Sequence, residues 1–405
     1  MAYGLVSADS HVNEAPDAFS ARLPSRLRPR GPRIETVDGQ DCWVTEGLPP
    51  APLSFGVHAA DKPRDGRAFT NRKLHVSRDE MVKGSYDPHA RLHDMDLDRL
   101  DAEVLYPGPL GGLGGGGTIA AIADDELRHA CLRAYNDWLA DFCAVAPDRF
   151  IGIALTRIEE PEFAVAELEY AAGRGLRGAV VNAMPDLAGG APLSSRVYDP
   201  FWACAQEAKL PLSLHILHSR STPPLTAAAS RDPHMQGGGN HAGTQSVLDH
   251  VGAGTGLFET YMTMMCLDMA EPVALLIFSG IFERFPQLRF SIAECGIGWI
   301  AFALERMDSI FDQHRNWMGS VITRAPSEYF HEHFTATFQQ DDDSGLACRS
   351  LIGIDNIMWA SDYPHTDTTW PHSHDVVNSL FADIPADERE RMTNRNARRW
   401  YGLPV

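Results

Sequence analysis

The chain has 405 residues, 44% of them hydrophobic, which is enough apolar material for one large core or two average ones. Its 54 acidic against 35 basic residues leave a formal net charge of −19, which argues against a nucleic-acid or anionic-membrane surface, because binding phosphate needs clustered Lys and Arg. Apolar stretches such as residues 272–282 are too short to span a bilayer, the first residues lack a basic-then-apolar leader, and seven cysteines without a C-x-x-C pair suit reduced thiols, so a cytoplasmic protein is expected.

In chain order, apolar runs of strand length fall at residues 5–8, 102–107, 150–155, 178–183, 211–215, 289–293, 333–338 and 356–361. Most are continuously apolar and do not alternate, as befits strands buried on both faces of a parallel sheet. Helical patterns separate them. Residues 124–145 carry Leu127, Cys131, Tyr135, Trp138 and Phe142 on one stripe; 161–173 open on Pro161 and close on Gly173; 297–311 and 387–401 follow the same period. Eight strands alternating with helices predict a (β/α)8 TIM barrel, one domain over residues 1–405, more than an open doubly wound sheet. No G-x-G-x-x-G follows the first strand, which weakens the dinucleotide-binding alternative.

Two segments interrupt the alternation. Residues 12–90 form a long insertion after the first strand, with a hairpin over 33–44 around the Asp38-Gly39 turn, and are expected to cover the active-site face. Residues 219–256, rich in Gly, Ser, Thr and Pro, form a second long loop with the same expected role. The glycine cluster at 111–117 lacks the Lys-Ser/Thr of a P-loop and reads as a loop, not a phosphate cradle.

Five acid or imidazole side chains stand directly after apolar runs: Asp9 and His11, His215, Glu294, and Asp362. Each has a bland reading. Asp9 caps a turn; His11 and His215 are satisfied core histidines; Glu294 pairs with an arginine such as Arg306 or caps the helix that starts near Ile297; Asp362 makes an Asx-turn before Pro364. Jointly, five such residues at four strand exits imply strands that converge on one point. Carboxylate with imidazole is the donor set of zinc, iron or manganese. His218, three residues beyond His215, is a further ligand, a substrate contact or a loop residue.

Ser7-Ala8-Asp9-Ser10-His11 with Glu14, Asp87-Pro88, Arg91-Leu92, Asp94-Met95-Asp96, Tyr135-Asn136-Asp137-Trp138-Leu139, Glu294-Cys295-Gly296 and Ser361-Asp362-Tyr363-Pro364-His365 resemble, in this order, the amidohydrolase superfamily. The resemblance is to the branch that holds the aromatic-acid decarboxylases and aminocarboxymuconate semialdehyde decarboxylase. It implies a distorted (β/α)8 barrel, a homodimer, and a metal site made of Asp9, His11, His215 and Asp362, with Asp362 as ligand and base. Two departures stand out: the usual first-strand His-x-His is here Asp9-x-His11, and the sixth-strand His is Glu294. The more acidic set suits one or two divalent ions (Zn, Fe or Mn), with Glu294 as a ligand or as a partner of one.

The replacement of that His by a carboxylate favours hydrolysis of an acyl bond (amide, ester, lactone or thioester) in a small-molecule substrate. A metal-activated water would lose its proton to Asp362, and His215 or His218 would help to hold the oxyanion. The rival is non-oxidative decarboxylation of an aromatic or unsaturated acid, with His218, His365 or protonated Glu294 as proton donor. Arg78, Trp299 and His365 are the expected substrate contacts.

Overall fold

The structure, a computed structural model, describes residues 4–53, 77–108, 110–111, 117–216, 257–340 and 342–404. Strand β1 (Val6–His11) is followed by three short strands, β2 (Arg33–Val37), β3 (Gln40–Val44) and β4 (Ala51–Pro52). Seven more follow: β5 (Ala102–Tyr106), β6 (Phe150–Leu155), β7 (Gly178–Val180), β8 (Leu212–His215), β9 (Phe290–Ala293), β10 (Phe334–Phe338) and β11 (Ile357–Trp359). The small strands pair as one antiparallel sheet, β2-β3-β4, and its Asp38-Gly39 turn has both φ angles positive, the geometry a two-residue hairpin needs.

The other eight strands run in the order β1-β5-β6-β7-β8-β9-β10-β11, every pair parallel, with helices between them. This is an α/β barrel, nearly closed. The last seam, between β11 and β1, is made just beyond the end of β11. There the Asp362 amide donates to Asp9 O (3.0 Å) and the His11 amide to Tyr363 O (2.6 Å). Inside the barrel Val6, Ala8, Val104, Tyr106, Ile151, Ile153 and Met358 form one buried cluster. The C-terminal helix Asn396–Tyr401 adds Trp400 and Tyr401 to it. Arg289, just before β9, donates to Trp400 O, so this helix plugs the end of the barrel where strands begin. Outside, Trp202, Phe282 and Phe334 pack their rings around Phe290 at centroid distances of 5.6–6.1 Å.

Three expected boundaries shift. The first strand does not stop at Ala8: apolarity ends there, yet backbone pairing continues to His11, with an irregularity between Ser7 and Ser10. Asp9 and His11 therefore lie on the strand and not after it. The helix expected over 297–311 runs Gly298–Met318, until Gly319 ends it in the left-handed conformation (φ 65°). The last one is broken into Ala386–Glu390, a π-helical turn Arg391–Arg395 and Asn396–Tyr401. All seven cysteines are free thiols, and no helix among the described residues is long and apolar enough to cross a membrane.

Candidate metal centre

His215 is the last residue of β8, Glu294 follows β9 directly, and Asp362 lies three residues past β11. With Asp9 and His11 of β1, they meet at the mouth where the strands end. His11 Nε2 is 3.5 Å from Asp9 Oδ1, 3.6 Å from Glu294 Oε2 and 3.3 Å from Asp362 Oδ1. His215 Nε2 is 3.7 Å from Asp9 Oδ1 and 3.5 Å from Glu294 Oε2. His365 joins through Nε2, 3.9 Å from Asp362 Oδ1. Side chains of Asp9, His11, His215 and Asp362 are fully buried, whereas Glu294 is 19% and His365 12% exposed, so the cluster opens to solvent on the side of those two.

Asp9 Oδ1, His11 Nε2, His215 Nε2, Glu294 Oε2 and both oxygens of Asp362 are buried without a hydrogen-bond partner. Leaving one such atom unsatisfied costs about 1–3 kcal/mol, more for a charged group, so six in one place call for a cation. Donors of a single ion bonded at ~2.1 Å sit about 3.0–3.4 Å apart, close to the separations here. Each imidazole also turns Nδ1 to a backbone carbonyl, His11 to Pro107 O (3.3 Å) and His215 to Ile216 O (3.4 Å). Those long contacts favour Nδ1–H and leave the Nε2 lone pairs facing the carboxylates.

Electrostatics agree with the need for positive charge. Burial pushes the His11 pKa down, but Asp362, Glu294 and Asp9 outweigh it and hold the imidazole well above its ordinary value. Burial first, then the Glu294 charge, pushes the Asp362 carboxyl well up. The backbone is also unusual where it delivers these groups. Glu294 (φ 55°) and Asp362 (φ 57°) are two of five described non-glycine residues with positive φ. Aspartate tolerates the left-handed region; glutamate there costs of order 1 kcal/mol or more, a strain that collects at functional sites.

The bland readings of Glu294 and Asp362 do not fit. The helix Gly298–Met318 is capped by Asp342, whose carboxylate accepts from the Ile297 and Gly298 amides. The Asp362 side chain accepts nothing from the turn that follows it. Of the other expected contacts, Trp299 is half-buried and donates its indole N–H to Cys295 O (3.0 Å). Arg78 has an exposed side chain, and its backbone amide donates to Asp41 on the small sheet; it is not among the residues brought together. His218 lies outside the described residues.

Several residues behind the cluster carry no motif a single sequence reveals. Thr337 on β10 accepts from the Glu294 amide (2.9 Å) and donates towards Asp9 Oδ2 (3.4 Å), touching two acids at once. Tyr106 packs its ring against His215 at a centroid distance of 5.0 Å. The one available signal was Glu103, a charged residue inside an apolar strand, which pairs with buried Arg91 (2.6 Å).

An amidohydrolase family model matches residues 57–403. The chain belongs to the amidohydrolase family. Among relatives of this amidohydrolase is a gamma-resorcylate decarboxylase of Rhizobium sp. (strain MTP-10005), 26% identical over 296 residues, 70% of this chain and 80% of the relative. An amidohydrolase of Mycobacterium avium subsp. paratuberculosis K-10 has the same fold at a TM-score of 0.74, with 20% identity, covering 99% of this chain and 100% of that one. A dihydroxybenzoic acid decarboxylase of Polaromonas sp. JS666, solved with manganese and 2-nitroresorcinol, matches at a TM-score of 0.62 and 19% identity, over 99% and 97% of the two chains.

These matches overturn the expected acyl-bond hydrolase, thioesterase included: the functionally named relatives are decarboxylases. Hydrolysis was expected because the carboxylate Glu294 stands in place of a histidine, with Asp362 taking the proton of the water. In the structure Glu294 Oε2 faces both Nε2 atoms at 3.5–3.6 Å, inside the cation site, so its presence alters the donor set and says nothing of a water proton.

Proposed function

We propose that this amidohydrolase is a metal-dependent, non-oxidative decarboxylase of a small aromatic acid, with hydroxybenzoates the first class to test. The observation that supports it most is the sequence match running through 80% of a gamma-resorcylate decarboxylase. Asp9, His11, His215, Glu294 and Asp362 would hold one or two divalent ions, and manganese, the ion in the related decarboxylase structure, is the first to try. When bound, the ion supplies a cationic grip on the substrate's oxygens and draws electron density from the reacting carbon.

In the reaction the bond from ring carbon to carboxylate breaks, carbon dioxide leaves, and the bonding pair stays on the carbon, which then takes up a proton. Asp362 is the residue for that delivery. Its carboxylate lies 3.9 Å from His365 Nε2, on the side of the cluster that opens to solvent, so it can take a proton from there and pass it to the carbon. His365, 12% exposed and beside Asp362, would return the proton from solvent and contact the substrate, as would Trp299 next to the Glu294 turn. Arg78 has no part in this reading. The described parts of the 12–90 insertion would cover the mouth: the Asn13 amide donates to Ser85 O (2.8 Å), tying both of its ends beside the end of β1, while residues 54–76 lie outside the described residues.

The test is carbon dioxide release from a panel of hydroxybenzoates by manganese-loaded protein. Release is expected from at least one, and D362N and H215A should abolish it with far-UV circular dichroism intact. Manganese-loaded protein that releases no carbon dioxide from any aromatic acid would remove the proposal.

A further inference from the structure

We infer that Arg91 is a positioning residue for the metal centre: it clamps the seam where the barrel closes, and so sets His11 against Asp362. The inference rests on the metal-centre reading above. Arg91 lies on the helix Pro88–Asp98 and is wholly buried. Pairing one buried guanidinium needs one carboxylate, and Glu103 on β5 supplies it at 2.6 Å. The remaining donors go elsewhere. Nη1 donates to His11 O (2.9 Å) and Gly84 O (3.2 Å), and Nη2 to Tyr363 O (3.4 Å).

His11 and Tyr363 stand on opposite sides of the seam. One is a candidate ligand and the other adjoins Asp362. Tyr363 O already accepts from the His11 amide at 2.6 Å, so the guanidinium reinforces the backbone bond that carries the ligand. Below, the Tyr363 ring lies 4.2 Å from the guanidinium carbon, and its hydroxyl donates to Asp94 Oδ2 (2.6 Å) on the same helix as Arg91. Glu103 closes the loop by accepting from Ser10 Oγ (3.4 Å), the residue between Asp9 and His11. One helix, β1, β5 and the β11 exit are thus joined through a planar fork of fixed geometry. Lysine has no such fork.

The experiment is a manganese(II) titration by isothermal calorimetry on wild type, R91K and the double variant R91M/E103L, with melting curves alongside. R91K should keep its far-UV spectrum and weaken manganese binding about 10–100-fold, the usual effect of losing a partner that orients a ligand. The double variant replaces a buried ion pair by apolar groups, a change often neutral or stabilising, so its melting temperature should return while manganese affinity stays low. It also decides the matter if R91K does not fold. R91K binding within twofold of wild type, or a double variant that regains affinity together with stability, overturns the inference alone. A wild-type protein that binds no manganese overturns the metal reading and this inference with it.

Discussion

Thr337→Val is the sharpest probe of how the acids are held. Valine keeps the shape of threonine and removes the hydroxyl. The Glu294 amide then loses an acceptor at 2.9 Å, and Asp9 Oδ2 loses a donor at 3.4 Å. The first bond is of normal length and wholly lost; an amide left without a partner near the buried end of β9 costs about 1–3 kcal/mol. The second is too long to add much. Because the first bond also holds Glu294 at φ 55°, a conformation it would otherwise leave, much of the loss should fall on metal affinity. We expect manganese binding weaker by about 10-fold, within the ~10–100-fold range for groups that orient ligands, and a melting free energy lower by about 1–2 kcal/mol. Calorimetric titration and thermal melts measure both, with Thr337→Ser, which retains the hydroxyl, as the control expected to bind like wild type. Unchanged manganese affinity in the valine variant would refute the argument that this hydroxyl orients the acids.

Glu14 gives a pH test away from the cluster. Burial pushes its carboxyl up from 4.5 to about 7, with the Gly111 amide opposing. The folded state thus keeps a proton the unfolded chain has lost, so stability is full below about pH 4.5 and falls as pH climbs through 7, by about 3 kcal/mol in all. Glu14→Gln should therefore melt higher than wild type at pH 8 and alike at pH 5; a variant less stable at pH 8 contradicts this. Chelation is the next test. Manganese at a hundredfold excess over its dissociation constant should stabilise the fold by about 2.7 kcal/mol, and a chelator should reverse the rise in melting temperature. No shift with manganese present would mean that the ion does not bind the folded chain. In the core, Trp202→Ala empties the space beside Phe290 and should cost about 3–5 kcal/mol in denaturant melts; a loss below 1 kcal/mol would show that the ring is not packed as described.

The expectation that failed, hydrolysis, drew a reaction from one altered residue. A change of ligand type at Glu294 reports on charge at the site, and charge alone does not choose between a water and a substrate carboxylate. The positions of the acids were legible because a carboxylate or imidazole directly after an apolar run is anomalous in one dimension. Arg91 entered only as part of a motif in the resemblance, with no role, and Thr337 did not enter at all. An arginine on a helix and a threonine in a strand are ordinary residues until the fold places one under the barrel seam and the other between Asp9 and Glu294.

By itself, the sequence determined the barrel class, through eight apolar runs in alternation with helical periods, and the five polar residues of the centre, through their places beside those runs. Both are local properties, set by which residues tolerate burial. Only the tertiary structure decided that β1 carries Asp9 and His11 on the strand, that β11 meets β1 through Asp362 and Tyr363, and that His365 joins the cluster while Arg78 does not. Those outcomes depend on how strands far apart in sequence align across the seam, and alignment is fixed by contacts between elements, which no single segment contains.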